Sequence, residues 1–283
     1  MEKATRLNTL FDARRGEPRA VALPAMSAND DAADAAALTM KAAPSDGRAA
    51  VGARTGRIHG LLERAAVVLF PPLFLAALLV LCGQLLEAAP AWLLLPAVLV
   101  SFFVGDLVTG LVHWAADTYC SEETPVIGPS LIKPFRMHHF DPKDICRHGV
   151  VETLGNTCIL ACPLLGLLVY AGTSVEWPGA HAFAALVAVL SVGMTVATNQ
   201  FHKWAHADLP PAPVRLLQAS GLILSSEHHE GHHGGGFDSR YCITNGWMNP
   251  LLDRLKFFAV AERALGKLGI KSQKTVPGFQ NQL

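Results

Sequence analysis

The chain has 283 residues, 51% of them hydrophobic and 16% charged, with 23 Lys+Arg set against 23 Asp+Glu. A soluble domain carries about 25% charged residues, so this apolar excess excludes an ordinary water-facing fold and assigns the surplus to lipid. Zero net charge removes the basic field that bulk nucleic-acid binding requires.

Residues 1–56 are rich in Ala, Asp, Arg, Gly and Pro, with Phe11 as their only aromatic residue. Such a segment cannot bury enough apolar surface to offset its ordering entropy, and it is predicted to be disordered. No apolar run follows its first basic residues, so it is not a secretory signal, and its acidic residues argue against a transit peptide. Residues 57–260 form the predicted membrane domain, and 261–283 a C-terminal tail.

Four apolar blocks approach the roughly 20 residues that a helix needs to cross hydrocarbon. They run from about Ala65 to Leu86, Ala91 to Val112, Thr157 to Ala171 and Ala180 to Ala197. Pro71-Pro72 is expected to kink or offset the first, and Asp106 interrupts the second. The third is short and holds Pro163, and the fourth continues as a helix through His206. The stretch from Val214 to Leu224 is too short to span and reads as an interfacial or re-entrant helix. The fold class is therefore all-α, an integral membrane protein with about four transmembrane helices.

Charge placement orients these spans. The links at 87–90 and 172–180 hold Glu87 and Glu176 but no Lys or Arg, so all 23 basic residues fall on the other side. That is the positive-inside pattern, and it predicts that both termini are cytoplasmic. Apart from His181, every histidine then lies at or beyond a cytoplasmic end.

Asp106, His113 and Asp117 share one stripe of the second span, with His113 and Asp117 at i and i+4. His138 and His139 precede Asp141-Pro142, and His202 and His206 form a second i, i+4 pair with Asn199 one turn earlier. His229, His232 and His233 follow at i, i+3 and i+4 around Glu230. Neutral imidazole is the commonest nitrogen ligand for Zn, Fe, Cu and Ni, and about eight such ligands suffice for two metals, a cytoplasmic histidine-rich di-metal site. A solvated or headgroup-binding rim would explain the depth of these histidines but not their pairing. The six cysteines form no C-x-x-C pair and read as small buried residues, which disfavours thiolate sites. No H-E-x-x-H occurs, so an intramembrane zinc protease loses its support. His228 and His148 stay ambiguous as ligands, and Lys133, Arg136 and Arg147 read equally as lipid-phosphate contacts or topology determinants.

Three motifs occur in order: Gly105-Asp106-Leu107-x-x-Gly110-x-x-His113-Trp114-x-x-Asp117, Asn199-Gln200-x-His202-Lys203-Trp204-x-His206, and Tyr241-Cys242-Ile243-Thr244-Asn245-Gly246-Trp247-x-Asn249-Pro250. Together with the histidine boxes they resemble the plasmanylethanolamine desaturase family, the Kua or CarF-type lipid desaturases, over roughly residues 95–258. The resemblance implies a di-iron, O2-dependent desaturase that converts 1-O-alkyl-2-acyl-glycerophosphoethanolamine to a Z vinyl-ether plasmalogen. Plant members act instead on the acyl chain of phosphatidylglycerol.

The resemblance also implies His113, His138, His139, His202, His206, His229, His232 and His233 as ligands of two Fe ions. Asp106, Asp117, Asp141, Asn199 and Glu230 are implied to orient them. Two electrons must come from outside, from a cytochrome b5-like or ferredoxin-type donor, because the chain has no dinucleotide fingerprint and no haem-attachment motif. The implied membrane is a bacterial inner membrane, or the endoplasmic reticulum in a eukaryote. The competing readings are a metal-binding membrane sensor or regulator without turnover, and a fatty-acyl phospholipid desaturase or hydroxylase on the same scaffold.

Overall fold

The computed structural model describes residues 10–11, 18–19, 46–125, 127–234 and 237–273, in two units divided after Gly56. In the first unit, β1 (Leu10–Phe11) pairs antiparallel with β2 (Pro18–Arg19), Leu10 opposite Arg19. The rest of the predicted disordered segment before Asp46 lies outside the described residues. Helix α1 (Asp46–Ala88) begins ahead of the predicted domain boundary.

The second unit contains helices joined by loops and no strand among its described residues. After α1 come a 3-10 turn (Ala91–Leu93), α2 (Leu94–Thr118), a π turn (Gly128–Ile132), α3 (Lys133–Phe140) and α4 (Asp144–Arg147). Then follow α5 (Val150–Ser174), α6 (Gly179–His206), α7 (Ala212–Ala219), α8 (Ser226–Gly234), α9 (Asn249–Arg254) and α10 (Phe257–Lys267). Among the described residues, four stretches are long and apolar enough to cross a membrane: Gly56–Ala88, Ala91–Thr118, Val150–Ser174 and Gly179–His206.

Pro71 and Pro72 lie inside α1, which runs through them lacking only the N–H groups that would bond the Val67 and Val68 carbonyls. The third span starts at Val150 rather than near Thr157, because its polar first turn is itself helical. There the Glu152 carboxylate accepts the Gly149 N–H at 2.9 Å, and a carboxylate at a helix N-terminus is favoured by the dipole. Helix α7 is shorter than the stretch read from sequence and stops before Gly221, whose φ of +71° turns the chain.

The spans pack in two zones. At the end away from the histidines, Leu81 and Leu85 of α1, Ala97 of α2, Leu165 of α5 and Leu186 and Val189 of α6 form the apolar core. The α6 span is 39% buried against 17% for α1, which makes α6 the central helix and α1 a peripheral one. Along α2, buried Ala97, Ser101, Gly105 and Thr109 recur every fourth residue, and the same row continues into His113 and Asp117. Small residues let helices approach closely where lipid offers no competing hydrophobic drive. The outward faces carry exposed Leu79, Leu95, Leu160 and Leu167, the side chains that lipid would cover.

Candidate metal centre

The centre is built on a clamp around Asp106. A carboxylate inside an apolar span is costly unless it is paired or fully hydrogen-bonded. Asp106 is fully buried, and its Oδ1 accepts the N–H groups of Thr244, Asn245 and Gly246, each at 3.0 Å. Its Oδ2 accepts the Met248 N–H at 2.9 Å. The Thr244 hydroxyl lies 3.0 Å from that of Thr109 on α2 and 2.7 Å from that of Thr198 on α6. The loop thus enters the bundle and bridges its two closest helices. A Cβ on Gly110 would overlap the Cys242 sulfur, so this approach requires glycine. Asn249 closes the loop: Nδ2 donates to the Cys242 carbonyl at 2.8 Å, and Oδ1 accepts the Cys242 N–H at 2.9 Å.

Around this frame the eight sequence-identified histidines converge in two groups. The first comprises His138, His202, His206, His229 and His233; the second comprises His113, His139 and His232 with Asp117. Neighbouring residues on a helix point about 100° apart. His138 and His139 therefore serve different groups, as do His232 and His233.

In the first group, His229 Nε2 faces three others, His202 at 2.8 Å, His206 at 2.9 Å and His233 at 3.1 Å. One imidazole proton cannot satisfy three such contacts, whereas a shared cation can. Imidazole nitrogens bound about 2.1 Å from one ion sit about 3.0 to 3.4 Å apart, which these separations approach.

The second group is oriented by the backbone. The His113 Nδ1–H donates to the Tyr241 carbonyl at 3.1 Å, and the His232 Nδ1–H donates to the Ser239 carbonyl at 2.6 Å. A carbonyl only accepts, so both rings carry the proton on Nδ1 and present an unprotonated Nε2. Asp117 Oδ2 lies 3.3, 3.7 and 3.8 Å from the Nε2 atoms of His113, His139 and His232. Both Asp117 oxygens, His113 Nε2 and His138 Nε2 are buried without a hydrogen-bond partner. Buried polar atoms are rarely left so, and a carboxylate with unprotonated imidazoles is a fitting set for a hard-to-borderline divalent metal.

Burial first, and the neighbouring imidazoles after it, hold the His138 and His229 pKa values well below the ordinary histidine range. Burial likewise lowers that of His139 to about 2 and that of His233 to about 4. These rings are neutral at cytosolic pH, so no proton competes with a metal. No cysteine joins either group among the described residues.

The residues expected to orient the ligands divide. Asp117 belongs to a ligand group itself, and Asp106 acts on the loop rather than on an imidazole. Asp141 touches no histidine among the described residues; it accepts from Arg147 at 2.6 Å, and this bond holds its carboxyl below the usual range. Asn199 donates to the Thr157 hydroxyl at 2.7 Å and ties α6 to α5. Glu230 is exposed on α8 with no hydrogen bond among the described residues, because it lies on the side of the helix turned from His229 and His232. His228 accepts from Asn249 Nδ2 at 2.8 Å and His148 pairs with Asp144 at 3.3 Å; neither enters a ligand group.

Sequence reasoning missed Ser239, the Tyr241 carbonyl and Phe237. Phe237 stacks on His139 with centroids 4.3 Å apart and planes 14° apart. Two of these contributions are backbone carbonyls, which side-chain type cannot signal; Phe237 follows the Gly234-Gly235-Gly236 run without periodicity.

The lipid desaturase domain profile matches residues 102–274. The chain is 44% identical over 204 residues to a plasmanylethanolamine desaturase of Myxococcus xanthus, covering 72% of this chain and 71% of that one. It is 37% identical over 170 residues to plasmanylethanolamine desaturase 1 of Mus musculus, covering 59% of this chain and 62% of the mouse protein. It is 34% identical over 164 residues to the chloroplastic fatty acid desaturase 4 of Arabidopsis thaliana, covering 57% of this chain and 48% of the plant protein. No solved structure matches.

Proposed function

The chain belongs to the lipid desaturase domain family, and from that premise we propose that it is a membrane plasmanylethanolamine desaturase. The reaction removes two hydrogens from the carbons next to the ether oxygen of 1-O-alkyl-2-acyl-glycerophosphoethanolamine. With O2, two protons and two electrons from a donor, it yields the Z vinyl ether and two waters. The convergence of eight histidines and Asp117 into two ligand groups carries the reading, with the name of the 44%-identical relative beside it.

His138, His202, His206, His229 and His233 would hold one iron, and His113, Asp117, His139 and His232 the other. Iron with O2, when bound there, supplies an oxidant strong enough for an unactivated C–H bond. The chain's own part is to present unprotonated imidazoles, to supply one negative charge through Asp117, and to keep bulk water from buried His113, His202, His229 and His232. Donor electrons come from a cytochrome b5-like or ferredoxin-type protein. On this reading the site lies on the cytoplasmic face of a multi-pass protein with both termini cytoplasmic, in a bacterial inner membrane or the endoplasmic reticulum; the lack of Lys and Arg in the links at 87–90 and 172–180 supports that orientation.

The decisive assay supplies purified protein with alkyl-ether lipid, O2 and reductant, and identifies the product by mass spectrometry. Wild type forms the vinyl ether with about two Fe per chain, and His202→Ala and His233→Ala do not. Full vinyl-ether formation by those variants, or stoichiometric Zn without oxygen consumption, sinks the proposal; the latter favours a sensor. The plant relative's printed name supports a second reading, desaturation of an acyl chain, which the same spectra locate by the position of the new double bond.

A further inference from the structure

Beside the histidine groups, a cleft of about 500 Å³ opens between α2, the end of α7 and the loop clamped by Asp106. Its volume is that of a small-molecule site. Phe103, Ile223, Trp247 and Pro250 supply its apolar wall, and the Trp247 ring packs on Phe102 and Phe103 at 5.5 and 5.3 Å. Along α2, Phe103 lies about 15 Å from His113 at 1.5 Å per residue. The cleft therefore runs from His228, beside the ligand groups, to the depth of a lipid's chains at Phe103. Irregular backbone at that depth is tolerated where it is buried or lines a cavity.

Several polar atoms on its wall are already hydrogen-bonded within the protein. Gln218 Nε2 donates to the Leu224 carbonyl at 3.0 Å, Ser225 Oγ accepts the His228 N–H at 3.2 Å, and Trp247 Nε1 donates to the Gly221 carbonyl at 2.7 Å. Asn245 is 6% exposed, and its Oδ1 accepts the Trp247 N–H at 3.0 Å, which fixes the amide orientation. Its Nδ2 is left buried without a partner. An apolar wall with a buried, unpartnered amide donor fits an apolar ligand that carries an acceptor oxygen.

The rim adds charge. Arg215 stands three residues from Gln218 on α7, and Arg254 four residues from Pro250 on α9, so each shares a helix face with a residue of the wall. Both are exposed and form no ion pair among the described residues. Helix α9 leads from Met248, bonded to Asp106, toward Phe258, which packs on Trp114 at the histidine end of α2. Arg254 therefore sits on the headgroup side of the cleft.

We propose that this cleft seats the ester-linked arm of a glycerophospholipid. Asn245 Nδ2 donates to the ester carbonyl, the acyl chain lies against Phe103, Ile223 and Trp247, and Arg215 and Arg254 take the phosphate. Its assignment to the substrate's second chain rests on the desaturase reading; the binding itself does not.

The test places the full chain in bilayers of di-ether phosphatidylcholine, free of esters, and follows tryptophan quenching by two brominated phosphatidylethanolamine probes. One is 1-O-alkyl-2-(bromoacyl); the other carries the same chain through an ether. Wild type is expected to prefer the ester probe by about five- to tenfold, the size of one hydrogen bond. Asn245→Leu removes that preference while leaving the di-ether affinity unchanged, and Arg215→Gln with Arg254→Gln weakens both probes. Trp247→Phe diminishes the quenching and removes the part of it that differs between the two probes.

Equal affinity of wild type for both probes, equal losses in Asn245→Leu, or undiminished quenching in Trp247→Phe overturns the cleft. Misfolding would weaken both probes alike, so it cannot imitate the selective loss expected of Asn245→Leu, which decides the test. A wild type that shows the preference but forms no vinyl ether upholds the cleft and sinks the functional reading. Vinyl-ether formation without any preference does the reverse.

Discussion

The five-imidazole group takes its ligand atoms from α3, α6 and α8, whereas the second group draws on α2, α3 and α8 and includes a carboxylate. In the first, ring positions follow from helical spacing, since His202 and His206, like His229 and His233, are i, i+4 pairs. In the second, His113 and His232 are aimed by carbonyls of the loop that Asp106 holds. Two sites of similar ligand type thus depend on different supports, helix geometry in one and a clamped loop with a buried charge in the other. Damage to either support should reach one group before the other.

The largest effect is expected from His229→Ala, which removes the ring that faces His202, His206 and His233. Desaturation should fall by more than about 100-fold, the scale of losing a metal-bearing group, with iron dropping toward one per chain. Iron retained at two per chain would break the division into groups. Asp117→Asn comes next. It keeps the shape and removes the only carboxylate, so the second iron should bind about 10- to 100-fold more weakly while the first is held, as metal titration would read.

Smaller again is Asp106→Asn, whose amide keeps one acceptor but cannot accept from both sides as the carboxylate does. A loss of about 2 kcal/mol in stability is expected from a weakened charged hydrogen-bond set. Iron should leave the second group at a lower temperature than the first; simultaneous loss would mean that the loop supports both alike. Glu230→Gln should be nearly silent, within about twofold in turnover, as exposed substitutions commonly are. A tenfold loss would restore to Glu230 the orienting role that its exposure argues against.

The spans and the eight histidines were legible because both depend on local repeats, about 20 apolar residues and i, i+4 spacing. The start of α5 was missed because Glu152 and Asn156 look like loop residues until Glu152 is seen to cap the helix. The partition of His138 from His139 could not be read, since it requires the relative rotation of α3 against α2 and α6. The role of Asp106 was hidden for a similar reason: its partners lie 138 to 142 residues downstream and are backbone groups. Asp117 was expected to orient a ring, and its unpartnered oxygens among three imidazoles make it a candidate ligand as well.

The clamp on Asp106 also sets an order of biogenesis. A nascent chain inserts α2 long before Thr244 to Met248 leave the ribosome, so Asp106 enters the bilayer with no acceptor role filled. Until the loop arrives, the second span carries an uncompensated carboxylate, and His113 and His232 lack the carbonyls that aim them. The second ligand group is thereby completed only at the end of synthesis, and a chain arrested before Ser239 would keep its four spans yet lack the backbone carbonyls that aim His113 and His232.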